Sequence, residues 1–207
     1  MVEVITARNG KRVLKKDGKL LASAFDPVRE ATVWADKIKA GVDEGETVII
    51  LGMGAGYHVE ELALSCPKNP IYVVEKDAEI AERALEICHG LERERVIVEP
   101  DWIHLVESDV FREALSGVYR IAIHGPSYQL APDYYGAVER LLRGRDRLSF
   151  LLLLKTRPEL LPLLDAEAVS AIGDEAISIK TICRIFSPRS AASRERRIWQ
   201  VLEELIV

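Results

Sequence analysis

Apolar residues alternate along the chain between short uninterrupted runs and runs that repeat every three or four positions. Uninterrupted runs are typical of strands buried on both faces of a parallel sheet, whereas repeats every three or four positions are typical of amphipathic helices. The strand-like runs occupy residues 47–51, 71–75, 96–98, 120–123 and 150–154, and helical repeats cover about 59–66, 78–88, 103–116 and 134–142. The alternation predicts an α/β fold with a doubly wound, mostly parallel sheet of the Rossmann type.

The first 23 residues carry a different pattern, in which short strand-like runs are separated by the turn sequences Asn9-Gly10 and Asp17-Gly18. Such dipeptides favour tight hairpins because both central residues of a type I′ turn need a positive φ. A small antiparallel β-meander is therefore predicted. Asp26 and Pro27 then supply the N-cap and first position of a helix that ends near Gly41.

The end of the chain has a weaker pattern. Residues 158–172 and 194–206 fit helices, and residues 177–183 alternate as a strand does. No linker or internal repeat divides the sequence. We therefore expect a β-meander plus helix at 1–42 and one compact Rossmann-like unit at 43–207.

The composition excludes some classes of binding partner. Lys and Arg number 28 against 33 Asp and Glu, so the net charge of −5 provides no overall basic surface for nucleic acid. The longest apolar run is far shorter than the ~20 residues of a membrane span, and no signal-peptide pattern is present. The 3 cysteines, Cys66, Cys88 and Cys183, are widely spaced, which predicts reduced, mostly buried thiols in a cytosolic protein. We expect a soluble cytoplasmic protein with no nucleic-acid or membrane partner, and the sequence is compatible with a homo-oligomer.

The first buried strand runs directly into three alternating glycines, Gly52, Gly54 and Gly56, followed by Tyr57 and a helix. Glycine accepts positive φ and has no Cβ, so this spacing allows a sharp turn with room for a ligand against bare backbone. The free N–H groups at the helix start would face that ligand. The loop predicts a nucleotide or adenosyl site, although a tight turn with close helix packing would use the same glycines.

Acidic residues follow the next two strands. Glu75 ends the second strand at 23 residues after Gly52, close to the ~20-residue offset at which a carboxylate accepts ribose hydroxyls. The alternative is a surface residue beside Lys76. Asp101 and Trp102 follow the third strand. There a carboxylate can accept from the adenine amino group while apolar side chains beside it pack against the ring. A turn aspartate next to a core tryptophan has the same pattern.

His124 ends the fourth strand, ahead of Gly125-Pro126-Ser127. An imidazole with an ordinary pKa near ~6.5 suits proton transfer, so His124 is the candidate catalytic residue. The alternative is a hydrogen-bonded structural histidine, since the sequence identifies no partner base or nucleophile. The 4 histidines lack metal-ligand spacing, and no metal site is expected.

Together, the glycine loop, Glu75 and Asp101 resemble the first three cofactor motifs of class I S-adenosylmethionine-dependent methyltransferases, over about residues 45–155. The resemblance implies that the three glycines border the methionine part of S-adenosylmethionine or S-adenosylhomocysteine. It also implies that Glu75 holds the ribose and that Asp101 and Trp102 hold the adenine. Two positions depart from the pattern: Ile50 replaces an acidic residue common in these enzymes, and His124 begins a segment that replaces an Asp-Pro-Pro-Tyr-type motif.

Two further families resemble parts of the chain. The meander followed by this sheet, with Gly125-Pro126-Ser127 and residues 131–135, is similar to spermidine synthases, although His124 stands where that family has an acidic residue. Residues 23–27, 51–58 and 74–77 are similar to the N-terminal region of bacterial motility accessory factors. Those proteins are described as flagellin glycosyltransferases related to the 6-hydroxymethylpterin pyrophosphokinase-like group. The resemblance to motility accessory factors implies that this chain corresponds to their ligand-binding portion and lacks the residues that transfer the sugar.

Two functions remain open from the sequence. The first is a methyltransferase-like protein that binds an adenosyl ligand at the glycine loop. The second is a non-catalytic binding or interaction module that keeps the same pocket. Candidate groups on three successive strand ends favour the first function, whereas Ile50 and the lack of an identifiable base favour the second. Fold alone does not choose between them.

Overall fold

The computed structural model describes residues 1–144, 147–156 and 170. Met1–Glu139 form one compact unit, and a second begins at Arg140. The strands are β1 Val2–Thr6, β2 Arg12–Lys16, β3 Lys19–Leu20, β4 Thr47–Leu51, β5 Ile71–Glu75, β6 Val96–Val98 and β7 Tyr119–Ile123. The α-helices are α1 Pro27–Lys39, α2 Tyr57–Ser65, α3 Ala78–Ile87, α4 Asp109–Ala114, α5 Gly125–Leu130, α6 Pro132–Arg143 and α7 Arg147–Lys155. Short 3-10 helices occupy Arg93–Arg95 and Trp102–Glu107.

The central sheet has four parallel strands in the order β6-β5-β4-β7. β4 and β5 are buried along their whole length, as expected of interior strands covered on both faces. The chain moves outward from β4 to β6 and then crosses to the other side of β4 to form β7. In such sheets, ligands bind beyond the carboxyl ends of the strands, near this change of direction. The predicted α/β fold with a parallel Rossmann-like sheet is confirmed.

The predicted N-terminal meander is also confirmed, as a separate antiparallel sheet in the order β1-β2-β3. Val4 of β1 lies opposite Leu14 of β2. Leu14 belongs to one buried hydrophobic cluster with Val48 and Ile50 of β4 and Ala35 of α1. The meander is too small to be stable alone, and this shared core attaches it to the parallel sheet.

The first helix begins as predicted. The Asp26 side chain accepts a hydrogen bond from the backbone N–H of Arg29 (3.1 Å), and Pro27 occupies the first turn. Trp34, on the same helix, donates from Nε1 to the backbone oxygen of Ile123 at 3.1 Å. This bond connects α1 to the carboxyl end of β7.

The strand predicted at 150–154 is wrong, because these residues lie within the helix α7. A short continuous apolar run does not distinguish a buried strand from a buried helix by periodicity. The segment contains four consecutive leucines and no β-branched residue, and leucine is a strong helix former. Intrinsic propensity therefore agrees with the observed helix.

Two helical predictions change in detail. The helix predicted at 103–116 is divided into the 3-10 helix Trp102–Glu107 and α4, because Ser108 breaks the run and caps α4 by accepting from Phe111 N. The helix α5 was not predicted; its N-cap is His124, with Pro126 in the first turn. Proline is tolerated there because the first helical N–H groups have no intrahelical partner.

Several predictions fall beyond the described residues. These are the strand at 177–183, the helix at 194–206, the thiol Cys183, and the helix at 158–172 apart from Ser170, which is helical. The predicted unit boundaries at 42 and 207 stay predictions. Cys66 and Cys88 are free and buried, as expected. Within the residues that the structure describes, no helix is long and apolar enough to cross a membrane.

Candidate functional site

A cavity of about 460 Å³ lies at the carboxyl ends of β5 and β6. Its size is within the range of about 300–1,000 Å³ that small-molecule pockets occupy. The turn between β2 and β3, the start of α3 and the helices α5 and α6 complete its wall. The lining residues are Lys16, Asp17, Glu75, Lys76, Asp77, Ala78, Ile80, Val98, Pro100, Ser127, Leu130, Ala131 and Tyr135. We refer to it as the Glu75 cavity.

The Glu75 carboxylate is only 1% exposed, and the chain supplies it with three hydrogen bonds. The backbone N–H of Met53, inside the glycine loop, donates to Oε2 at 2.8 Å. The backbone N–H of Asp77 (3.0 Å) and the phenol of Tyr135 (2.8 Å) both donate to Oε1. Burial raises the pKa of Glu75 to about 7, although hydrogen bonds from Met53 N, the Tyr135 phenol and Lys76 N and the positive charge of Lys16 oppose the shift.

The stability of the fold should therefore fall as pH rises from about 4.5 to about 7. The raised pKa means that folded Glu75 keeps its proton where the unfolded chain has lost it. This stabilisation is complete below the unfolded value near 4.5 and is lost as pH rises through about 7. The expected change is about 3 kcal/mol, because the pKa rises from 4.5 to about 7 and a difference of one in pKa corresponds to about 1.4 kcal/mol. Urea denaturation at pH values across this range measures it.

A matched pair of variants assigns that pH dependence. Glu75→Gln has no carboxyl group to titrate and should show a flatter profile than the wild type. Glu99→Gln makes the same change one residue beyond β6, outside the cavity lining, and should keep the wild-type profile. Equal pH slopes for the wild type and Glu75→Gln would contradict the assignment to Glu75.

A half-buried ion pair between the meander and the start of α3 lies in the wall of the cavity. Lys16 of β2 pairs with Asp77, and Asp77 also caps α3 by accepting from Glu79 N at 3.0 Å. Nearby, the Lys76 ammonium lies 5.7 Å from the centroid of the Tyr134 ring. The cavity therefore presents cationic groups beside the Glu75 carboxylate.

The glycine loop turns sharply, as predicted, but the chain's own side chains lie against it. Gly52 has φ +96°, and a Cβ there would lie 2.2 Å from the Cβ of Ser127. Gly54 has φ +49°, and a Cβ there would lie 2.4 Å from Cε1 of His124. Real Cβ atoms essentially never approach another heavy atom so closely. These two glycines therefore permit close contact between the loop and α5.

The other two loop residues that we predicted as ligand contacts also pack within the chain. A Cβ on Gly56 would lie 3.1 Å from Sγ of Cys88. The Tyr57 side chain is buried, and its hydroxyl donates to the backbone oxygen of Arg12 at 2.8 Å. Their role in ligand binding stays a prediction.

His124 is buried and caps the helix α5. Its Nδ1 accepts from the backbone N–H of Ser127 (3.4 Å) and lies 2.8 Å from the Ser127 hydroxyl. The ring stacks on His58, with 4.0 Å between centroids, and Nε2 of His58 lies 3.1 Å from the backbone oxygen of Gly52.

Burial keeps both stacked imidazoles neutral. Burial lowers the pKa of His58 to about 4. It also lowers the pKa of His124 well below its ordinary value, and the neighbouring His58 lowers it further. A neutral imidazole can accept a proton from the adjacent Ser127 hydroxyl, but that hydroxyl belongs to a residue only 1% exposed. The geometry is that of a helix cap, and the catalytic role of His124 stays a prediction.

Asp101 and Trp102 lie outside the lining of the Glu75 cavity, although both follow β6. Asp101 is exposed, and its Oδ1 accepts from Ile103 N at 3.1 Å to cap the 3-10 helix. Val98 and Pro100 line the cavity instead. The adenine role of Asp101 and Trp102 stays a prediction.

Sequence reasoning missed two polar residues of the cavity, Lys16 and Tyr135. Each reaches the site from an element distant in the chain: Tyr135 is 60 residues from the carboxylate that it contacts. Residues 131–135 did appear in the spermidine synthase resemblance, but no local pattern indicates where the phenol points. Across the described ranges, no group of three or more His, Cys, Asp or Glu side chains is placed to hold a metal ion.

Comparison with known proteins found structural similarities only. No protein family and no curated sequence matches the chain. Spermidine synthase from Thermotoga maritima is 14% identical with a TM-score of 0.44, over 91% of this chain and 72% of that one. MnmC2 from Aquifex aeolicus is 16% identical (TM-score 0.33; 52% of this chain, 45% of that one). A fibrillarin/Nop5p complex is 17% identical (TM-score 0.29; 70% and 86%).

The chain therefore spans less than half of the MnmC2 chain that it matches. TM-scores below 0.5 do not establish a common fold, so the description of the fold rests on the order and direction of its own strands. The resemblance to motility accessory factors found no support, since no family or curated sequence matched.

Proposed function

We propose that this protein binds an adenosyl-type small molecule in the Glu75 cavity, with the ribose hydroxyls at Glu75. The observation that carries the proposal is a buried carboxylate lining a 460 Å³ cavity at the carboxyl edge of a doubly wound sheet. Ligands of such sheets bind at this edge, and an acidic residue ending the second strand is suited to ribose. The glycine loop is also linked to that carboxylate through Met53 N.

The Glu75 carboxylate retains capacity for a sugar. Its two oxygens offer about four acceptor sites, of which three are used by Met53, Asp77 and Tyr135. The backbone N–H of Lys76 also bonds to the carboxylate, so a ribose hydroxyl binds there when Tyr135 turns its phenol away. Apolar lining residues suit the face of a base: Ile80, Val98, Pro100 and Leu130.

The residues present fit only part of S-adenosylmethionine. The nucleoside part suits the cavity, but the resemblance places the methionine part beside Gly52 and Gly54, where Ser127 and His124 fill the positions that Cβ atoms would take. We therefore derive no methyl-transfer step. The proposal concerns binding of an adenosyl ligand by a Rossmann-like protein.

Isothermal titration calorimetry with adenosine, 5′-methylthioadenosine, S-adenosylmethionine and S-adenosylhomocysteine tests the proposal. At pH 8, above the raised pKa of Glu75, at least one should bind the wild type, and Glu75→Gln should weaken it at least ~10-fold, because a good hydrogen bond to a charged acceptor contributes about 1.5–3 kcal/mol. Glu99→Gln is the matched control and should bind normally. Thermal denaturation with and without ligand provides a second readout. If no adenosyl compound binds, the proposal is wrong.

A further inference from the structure

The Glu75 cavity ends at Ser127 on the side of the glycine loop. Ser127 lines the cavity, whereas Gly52, Gly54 and Gly56 do not, although all four residues are described. The Ser127 side chain is 1% exposed and lies against the backbone of Gly52. A ligand in the cavity therefore meets Ser127 before it meets the loop.

The positions that Cβ atoms would take on Gly52 and Gly54 are filled tightly enough to exclude a single carbon atom. A carbon added to Gly52 would lie 2.2 Å from Cβ of Ser127, and one added to Gly54 would lie 2.4 Å from the His124 ring and 2.9 Å from the backbone oxygen of Leu21. Carbon atoms in contact are ordinarily about 3.5–4.0 Å apart. An aminocarboxypropyl arm, with several heavy atoms, has no room there.

Several interactions hold the two covering residues in place. The backbone N–H of His124 donates to Leu51 O at 3.0 Å, which extends the β4–β7 pairing by one residue. The His124 ring stacks on His58, and its Nδ1 lies 2.8 Å from the Ser127 hydroxyl. Moving Ser127 away from Gly52 would break this helix cap and expose buried rings.

We infer that the ligand of the Glu75 cavity is a nucleoside with a small 5′ substituent, and that Ser127 and His124 exclude adenosyl compounds carrying an amino-acid arm. This inference rests on the proposed function, which concerns adenosyl binding in general, and it names the class of ligand. The Ser127 and His124 side chains fill the position of the amino-acid arm. A ligand that carries the arm clashes with them, and a ligand without it does not.

The test compares two thioethers that differ in the arm alone, 5′-methylthioadenosine and S-adenosylhomocysteine, by calorimetry on the full chain. The first should bind at least ~10-fold more tightly, since accommodating the arm requires the buried contacts of Ser127 and His124 to be broken. Equal or tighter binding of S-adenosylhomocysteine would overturn the inference while leaving the proposed function intact. If neither compound binds, nor adenosine, the proposed function and this inference both fail.

Variants of Ser127 locate the selectivity. Ser127→Gly removes the Cβ that touches Gly52 and should reduce the affinity ratio between the two thioethers at least ~3-fold. Ser127→Ala keeps that Cβ and removes only the hydroxyl, so it should preserve the ratio. A ratio that is unchanged in a folded Ser127→Gly variant would contradict the assignment to Ser127. If that variant fails to fold, the ratio measured for the wild type decides the inference.

Discussion

Replacing Gly52 by alanine is expected to lower the free energy of unfolding by about 4 kcal/mol. Two costs combine at this position. The backbone has φ +96°, which L-residues disfavour by about 1–2 kcal/mol, and overpacking of a tight contact costs about 1–3 kcal/mol more. The second cost arises because the new Cβ would lie 2.2 Å from Cβ of Ser127. Urea denaturation monitored by circular dichroism measures the loss.

A second glycine separates the two costs. Gly45 has φ +83°, but nothing lies within 4 Å of the position that its Cβ would take. Gly45→Ala should therefore show only the backbone cost, about 1 kcal/mol. Adding Ser127→Gly to Gly52→Ala removes the clashing atom and should recover part of the loss. If Gly52→Ala destabilises the fold no more than Gly45→Ala, the close packing between the glycine loop and α5 is disproved.

Replacing Glu75 by alanine should destabilise the fold by about 3 kcal/mol at pH 5. The substitution removes the acceptor of three donors, Met53 N, Asp77 N and the Tyr135 hydroxyl. A buried donor left without an acceptor costs about 1–3 kcal/mol, and water from the adjoining cavity offsets part of that cost. The measurement is made at pH 5, because the raised pKa of Glu75 makes its contribution to stability largest at low pH.

Tyr135→Phe is the graded control for this substitution. It removes one of the three hydrogen bonds and leaves the carboxyl group in place, so the expected loss is about 1 kcal/mol. The difference between the two variants then measures what the two backbone donors contribute. Equal losses would mean that Glu75 connects the glycine loop to α3 less firmly than its hydrogen bonds indicate.

The sequence by itself determined the order of the strands as far as β7 and the strand end at which the Glu75 cavity lies. The strands that form the parallel sheet were readable because buried strands need uninterrupted apolar residues, and β4 and β5 are buried throughout. The turns and helix starts were readable because glycine, proline and aspartate act on the backbone within a few residues. Glu75 was identified in the same way, as an acidic residue directly ending a buried strand.

Tertiary structure alone decided what surrounds those residues. Asp101 follows its strand as predicted, yet it caps a 3-10 helix at the surface, while Lys16 and Tyr135 reach the cavity from elements distant in the chain. Ser127 and His124 pack against Gly52 and Gly54, which no local pattern in the sequence indicates. Local patterns record what the backbone requires within a few residues, whereas contacts between distant side chains depend on how whole helices and strands pack.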